Sequence, residues 1–293
     1  MQRRRFCCGL GALAGATAGL LLPRSVRGAE TPNHRPLLIG LTPVFLDDQV
    51  SFLNHWQVYL EARLQRPVVF VQRGSYREII DLTLKDRVHF AWLCGFPFIR
   101  NRDRMRLLAV PVYRGKPLYQ SYLIVSSKDL TTQNLIDLRD RVFAYSDPDS
   151  NSGFLYPQYQ LIRQGIRPET HFRRSFFTYS HDKVVAAVAA RVAHGGAVDG
   201  YVWDTLLLSR PELVDQTRIV ERSPWFGFPP LVAAPGTTTE TLKTMQAVLL
   251  GMHADGDGKT LLRRLNLDRF EAGALPLFDG IARMARAVNG GPT

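Results

Sequence analysis

The apolar residues of this chain alternate between two rhythms. Residues 36–41 (PLLIGL) form a short continuous apolar run that reads as a buried strand, turned by Thr42-Pro43. From about Asp48 to Leu64, Val50, Leu53, Trp56, Leu60 and Leu64 recur near helical spacing, which predicts an amphipathic helix. Residues 67–71 are again strand-like, Ser75 caps a helix through Lys85, and residues 88–93 (VHFAWL) read as a strand ending at Cys94-Gly95. Residues 107–112 and 119–125 follow as strands. Helices set between strands at this spacing make βαβ units and a largely parallel sheet.

A second set follows the first. Residues 142–145 predict a strand, then come a polar loop, a helix over 154–163 closing at Gly165, and a strand over 172–179. Ser180 caps a helix running to about His194, stopped by Gly195-Gly196, and residues 198–202 are again strand-like. The Pro-rich stretch 223–235 breaks the pattern before helices at 239–253, 260–265 and 280–288. The expected fold is α/β: two lobes with mixed, mostly parallel sheets, the end of the chain returning to the first. Such sheets bind ligands beyond the carboxyl ends of their strands.

Composition narrows the picture without changing it. The 293 residues are 45% hydrophobic and 22% charged, a globular balance that excludes a disordered or disulfide-stapled chain. The formal charge of +11 is uneven: Arg3, Arg4, Arg5, Arg24 and Arg27 lie in residues 1–28, and removing these five leaves +6. The densest remaining run, Arg100 to Arg106, is interrupted by Asn101 and Asp103, so no nucleic-acid face is expected. Residues 1–28 have the layout of an export signal: a short basic start, an uncharged stretch at 6–22 and a stop at Pro23. Arg3-Arg4-Arg5-Phe6 fits the twin-arginine pattern. A retained membrane anchor is the competing reading. Export would carry off Cys7 and Cys8 and leave Cys94 alone in an oxidising compartment, most simply as an inert buried thiol. No metalloprotease, hydrolase or P-loop motif is complete, and the seven histidines lack metal-ligand spacing. No cofactor is implied.

Residues 147–157, DPDSNSGFLYP, carry the most chemistry. They place small hydrogen-bonding side chains between a strand and a helix, where the free N–H groups and dipole of a helix N-terminus attract anions. Ser150, Asn151 and Ser152 add donors there, and Gly153 permits close approach; ordinary N-capping is the plain alternative. Ser180-His181-Asp182 repeats that geometry, and Cys94 lies at a third corner just past a strand.

In order and spacing, Phe90-Ala91-Trp92, then SDPDSNSGFLYP at 146–157, then Ser180-His181-Asp182 resemble the phosphate, phosphite and phosphonate solute-binding proteins of ABC importers, over residues 37–250. The resemblance implies a type II periplasmic binding fold, with crossovers near 119–125 and 223–235 that hinge two lobes shut on a ligand. The lobes would be residues 29–121 plus 226–293 and residues 122–225. It implies a monomer in the periplasm, without catalysis, in which Ser150, Asn151, Ser152 and His181 hold a small oxyacid. The chain departs from the family where a tyrosine follows the Ala-Trp pair, reading Leu93-Cys94-Gly95 instead. Acidic residues for an aminoalkyl group are not evident; Asp204 is the remaining candidate, so an aminophosphonate is not expected. Cys94 is also similar in position to the arsenic-binding cysteine of a sensory branch that signals to a histidine kinase. An ABC permease is therefore the first expected partner and a kinase's periplasmic domain the alternative. An enzyme with a Cys94 nucleophile and His181 base ranks behind both.

Overall fold

The computed structural model describes residues 35–43 and 50–289, so the signal-like residues 1–28 and the expected start of the first helix at Asp48 lie outside the described residues. The first half runs β1 (Leu37–Leu41), α1 (Val50–Leu64), β2 (Val68–Gln72), α2 (Tyr76–Leu84), β3 (Phe90–Trp92), α3 (Gly95–Arg100) and β4 (Arg106–Val112). The chain then crosses through β5 (Leu118–Tyr119) to β6 (Ser121–Ser126), β7 (Val142–Tyr145), α4 (Tyr156–Arg163), α5 (Pro168–His171), β8 (Arg174–Phe177), α6 (His181–Ala189), β9 (Gly195–Asp199), α7 (Gly200–Ser209), α8 (Pro211–Val214) and β10 (Thr217–Arg222). It returns through β11 (Phe226–Gly227) to β12 (Leu231–Ala233), α9 (Thr239–Gly251), α10 (Gly256–Arg264), β13 (Arg269–Glu271) and α11 (Asp279–Asn289).

Two sheets result, in the orders β13-β4-β12-β3-β1-β2 and β10-β6-β9-β7-β8. Pairing is parallel through β2-β1-β3 and through β9-β7-β8 and antiparallel elsewhere, so the βαβ signal holds for the core of each sheet while β12 and β13 in the first and β6 in the second run the other way. The two crossovers pair with each other: Phe226 opposite Tyr119 and Gly227 opposite Leu118 form a short antiparallel ribbon between the sheets.

Local chemistry explains where elements stop. Ser75 Oγ accepts the Glu78 N–H and starts α2 as expected. The stretch 195–202 divides differently from its apolar pattern. Gly195 and Gly196 open β9 because a Cβ would come within 2.5 Å of Leu138 and of Val184, respectively. Asp199 then accepts the Tyr201 N–H and starts α7 where the pattern suggested more strand. The helix expected from Phe154 opens as a wider π-helical turn, Asn151–Leu155. Ser150 Oγ takes the Gly153 N–H and Leu155 N–H reaches Ser150 O at 3.0 Å; Pro157, lacking an N–H, cannot join a tighter ladder.

Candidate functional site

Parallel register brings the carboxyl ends of β1, β2 and β3 to one edge, with Leu41 level with Gln72 and Trp92. α2 and Cys94 rise from that edge. In the second sheet Tyr145 stands level with Phe177, so loop 146–150 and the His181 corner share an edge, and Asp199 ends the neighbouring β9. The two edges meet. Asn151 N–H donates to Cys94 Sγ at 3.2 Å, Asn151 Nδ2 to Tyr119 Oη at 2.9 Å, and Tyr76 N–H to Asp147 Oδ2 at 3.1 Å. Ser121 Oγ donates to Ser152 O at 2.7 Å and fixes the loop from beneath.

Apart from half-buried Pro148, the loop from Ser146 to Gly153 is buried, Ser150, Asn151 and Ser152 included. Within it Ser146 Oγ, Asn151 Oδ1 and Ser152 Oγ make no hydrogen bond, although the Tyr119 hydroxyl lies beside Ser152. Buried polar atoms are seldom left this way, and each such group costs about 1–3 kcal/mol. Three of them stand on one loop at the start of the helical run 151–163, beside the Ser150 cap.

Burial governs the electrostatics of the site. His181 is buried, and its Nδ1 accepts the Asp199 N–H at 3.0 Å, so the ring proton belongs on Nε2. Burial pushes its pKa down to about 3, leaving a neutral donor at neutral pH. Asp199 is fully buried and pushed up to about 8, although the Tyr201 and Val202 N–H groups favour its charged form. Burial likewise pushes the Cys94 thiol up to about 11 against the N–H groups of Asn151 and Phe96. Tyr76 and Tyr119 are raised for the same reason.

Of the residues singled out from sequence, Cys94, Ser150, Asn151, Ser152 and His181 come together here. Asp204 does not: its Oδ2 accepts from Tyr113 Oη at 2.8 Å and Tyr122 Oη at 3.2 Å and lies 3.1 Å from Arg114 Nη1, a network away from the loop. Sequence reasoning missed Asp199, Tyr76 and Tyr119. Asp199 had a usable signal, an acid before a glycine at the end of an apolar strand; the two tyrosines had none. Among the described residues no group of three His, Cys, Asp or Glu is placed to hold a metal ion.

Residues 39–275 match the family model described as "ABC transporter, phosphonate, periplasmic substrate-binding protein". The chain is 27% identical over 236 residues to the phosphonates-binding periplasmic protein of Escherichia coli K12, covering 77% of this chain and 69% of that one. Among solved structures, a binding protein component of an ABC phosphonate transporter from Pseudomonas aeruginosa superposes with a TM-score of 0.81 at 22% identity, over 88% of this chain and 87% of that one. PhnD1 from Prochlorococcus marinus in complex with methylphosphonate gives 0.78 at 21% identity, over 86% and 98%. The two sheets and their paired crossovers thus have the type II periplasmic binding fold, and the chain belongs to the family of periplasmic substrate-binding proteins of phosphonate ABC transporters.

Proposed function

We propose that this protein captures a small phosphorus oxyacid between its two sheets and presents it to an ABC permease, without chemical turnover. Phosphate, phosphite and phosphonates with a small uncharged substituent are the candidate ligands, and residues 1–28 act as the export signal, checked by the mass of the periplasmic form. The observation that carries the reading is the trio of unpaired buried atoms, Ser146 Oγ, Asn151 Oδ1 and Ser152 Oγ. The two hydroxyls can donate to oxyanion oxygens, with His181 Nε2–H as a third neutral donor. Asn151 Oδ1 is an acceptor and asks for a proton on the ligand, which a phosphorus oxyacid carries near neutral pH and sulfate does not. An ammonium group finds no fixed counter-charge: burial keeps the Asp199 carboxyl largely protonated at neutral pH, and Asp204 is committed to Arg114.

The test is a thermal-shift and calorimetric panel of phosphate, phosphite, methylphosphonate, 2-aminoethylphosphonate, sulfate and arsenite. A ligand at a hundredfold excess over its Kd stabilises the fold by about 2.7 kcal/mol. We expect saturable, stoichiometric binding of at least one phosphorus oxyacid, at least tenfold tighter than sulfate. Ser152→Ala should weaken it by about 1.5–3 kcal/mol, the range for a hydrogen bond to a charged group. A shift with arsenite alone, abolished in Cys94→Ser, would replace this reading by the metalloid-sensing one. The protonated, buried state of the thiol speaks against that outcome.

A further inference from the structure

The two halves touch beside the loop through a charged cluster of Arg77, Arg100 and Asp149. Asp149 Oδ1 accepts from Arg77 Nη2 at 2.9 Å and from Arg100 Nη1 at 3.2 Å. Arg77 stands in the first turn of α2 and Arg100 ends α3, both from the first sheet's edge, whereas Asp149 belongs to the loop after β7 in the second. The Asp149 side chain is 4% exposed; those of Arg77 and Arg100 are 54% and 44% exposed. Both side-chain partners of Asp149 come from the opposite half. Its neighbour Asp147, by contrast, also accepts the Asp149 N–H within its own loop at 2.8 Å.

That asymmetry matters physically. Burial pushes the Asp149 carboxyl up and the two guanidiniums pull it part of the way back, so what relief its desolvation has lasts only while the halves are together. Swinging them apart would exchange two charge-assisted hydrogen bonds for water and rehydrate the carboxylate. We propose that Arg77, Arg100 and Asp149 are a latch: positioning residues that hold the closed arrangement before ligand arrives and so keep the cradle preformed. The inference rests on the hinged-capture reading above, and it assigns the cluster a part in affinity without contact to the ligand.

The experiment combines small-angle scattering of the ligand-free protein with calorimetric titration of inorganic phosphate and methylphosphonate. Arg77→Ala/Arg100→Ala should give a larger ligand-free radius of gyration than wild type and weaken Kd at least tenfold, with an unfolding midpoint near wild type because both side chains are half exposed. Arg77→Lys/Arg100→Lys, which keeps the charges, should recover most of the closed population. Asp149→Asn, similar in volume, should open the protein in the same direction, while Ser152→Ala should weaken Kd and leave the ligand-free radius unchanged. Superimposable ligand-free curves for wild type, Asp149→Asn and the double alanine variant would overturn the latch. Should neither probe bind wild type, the capture reading fails while the scattering comparison still decides the latch.

Discussion

Gly153 is demanded by distance rather than by backbone angle. A Cβ there would lie 1.9 Å from Ser146 Oγ and 3.2 Å from His181 Cε1, so the residue lets the loop lie flat against both groups. Gly153→Ala should destabilise the fold by about 1–3 kcal/mol, the usual cost of overpacking, read from the urea midpoint. His181 and Asp199 predict a stability profile with two limbs. The fold refuses a proton on His181 until about pH 3, whereas the unfolded imidazole takes one near 6.5, so this contribution is complete above 6.5 and is lost as pH falls toward 3. Asp199 works the other way: its contribution is complete below 3.8 and is lost as pH rises toward 8. Between pH 3.8 and 6.5 the two slopes oppose each other, so urea midpoints from pH 3.5 to 9 should show the Asp199 fall reaching down to about 3.8 in His181→Asn, and the His181 fall starting near 6.5 with no loss toward 8 in Asp199→Asn. A limb that survives its own substitution belongs to another group. At this scale the sequence was legible where turn chemistry was local: Ser150 caps the run from Asn151, and α6 starts at His181, although Ser180 Oγ donates to Asp182 and Pro43 O instead of capping it. Tyr119 and Tyr76 reach the site through pairings 32 and 71 residues away, and nothing local marks them.

Among elements, the C-terminal helix shows how the cysteine corner is held. α11 packs on α3 and α4, with Ile281 and Met284 buried, and Phe278 just before it meets Phe98 edge-on at 5.1 Å. A Cβ on Gly95, the first residue of α3, would lie 2.6 Å from Ile281 Cδ1 and 3.2 Å from Phe278. Gly95→Ala should therefore cost about 1–3 kcal/mol, and Ile281→Val, which deletes the crowding methyl, should recover part of it. Chemical unfolding of the four-member cycle measures the coupling, and strict additivity would mean that the helices relax instead. α3 itself was invisible beforehand, because GFPFIR is too short to show a period and contains a proline. Glycines misled in the opposite sense. Gly195-Gly196 looked like a helix stop, yet tertiary crowding makes them a strand, a contact that spacing cannot express.

For the whole molecule, alternation of helix and strand carried the fold class, and the composition break at 223–235 marked the return between sheets. What it could not carry was which strands run against the rest: β12, threaded between β3 and β4, and β13 in the first sheet, and β6, set between β9 and β10, in the second. Nor could it show that the crossovers lie side by side. Two separate connectors would let the halves rotate about several axes and slide past one another. Because β5 and β11 are paired, bending one would bend the other, and in the hinged capture proposed above the halves would have a single pin to turn on. Once the latch lets go, the halves would explore an arc rather than a volume. Closing would forfeit correspondingly little conformational freedom, so each hydroxyl paired by the proposed ligand would count toward affinity instead of being absorbed by the cost of ordering the molecule around it.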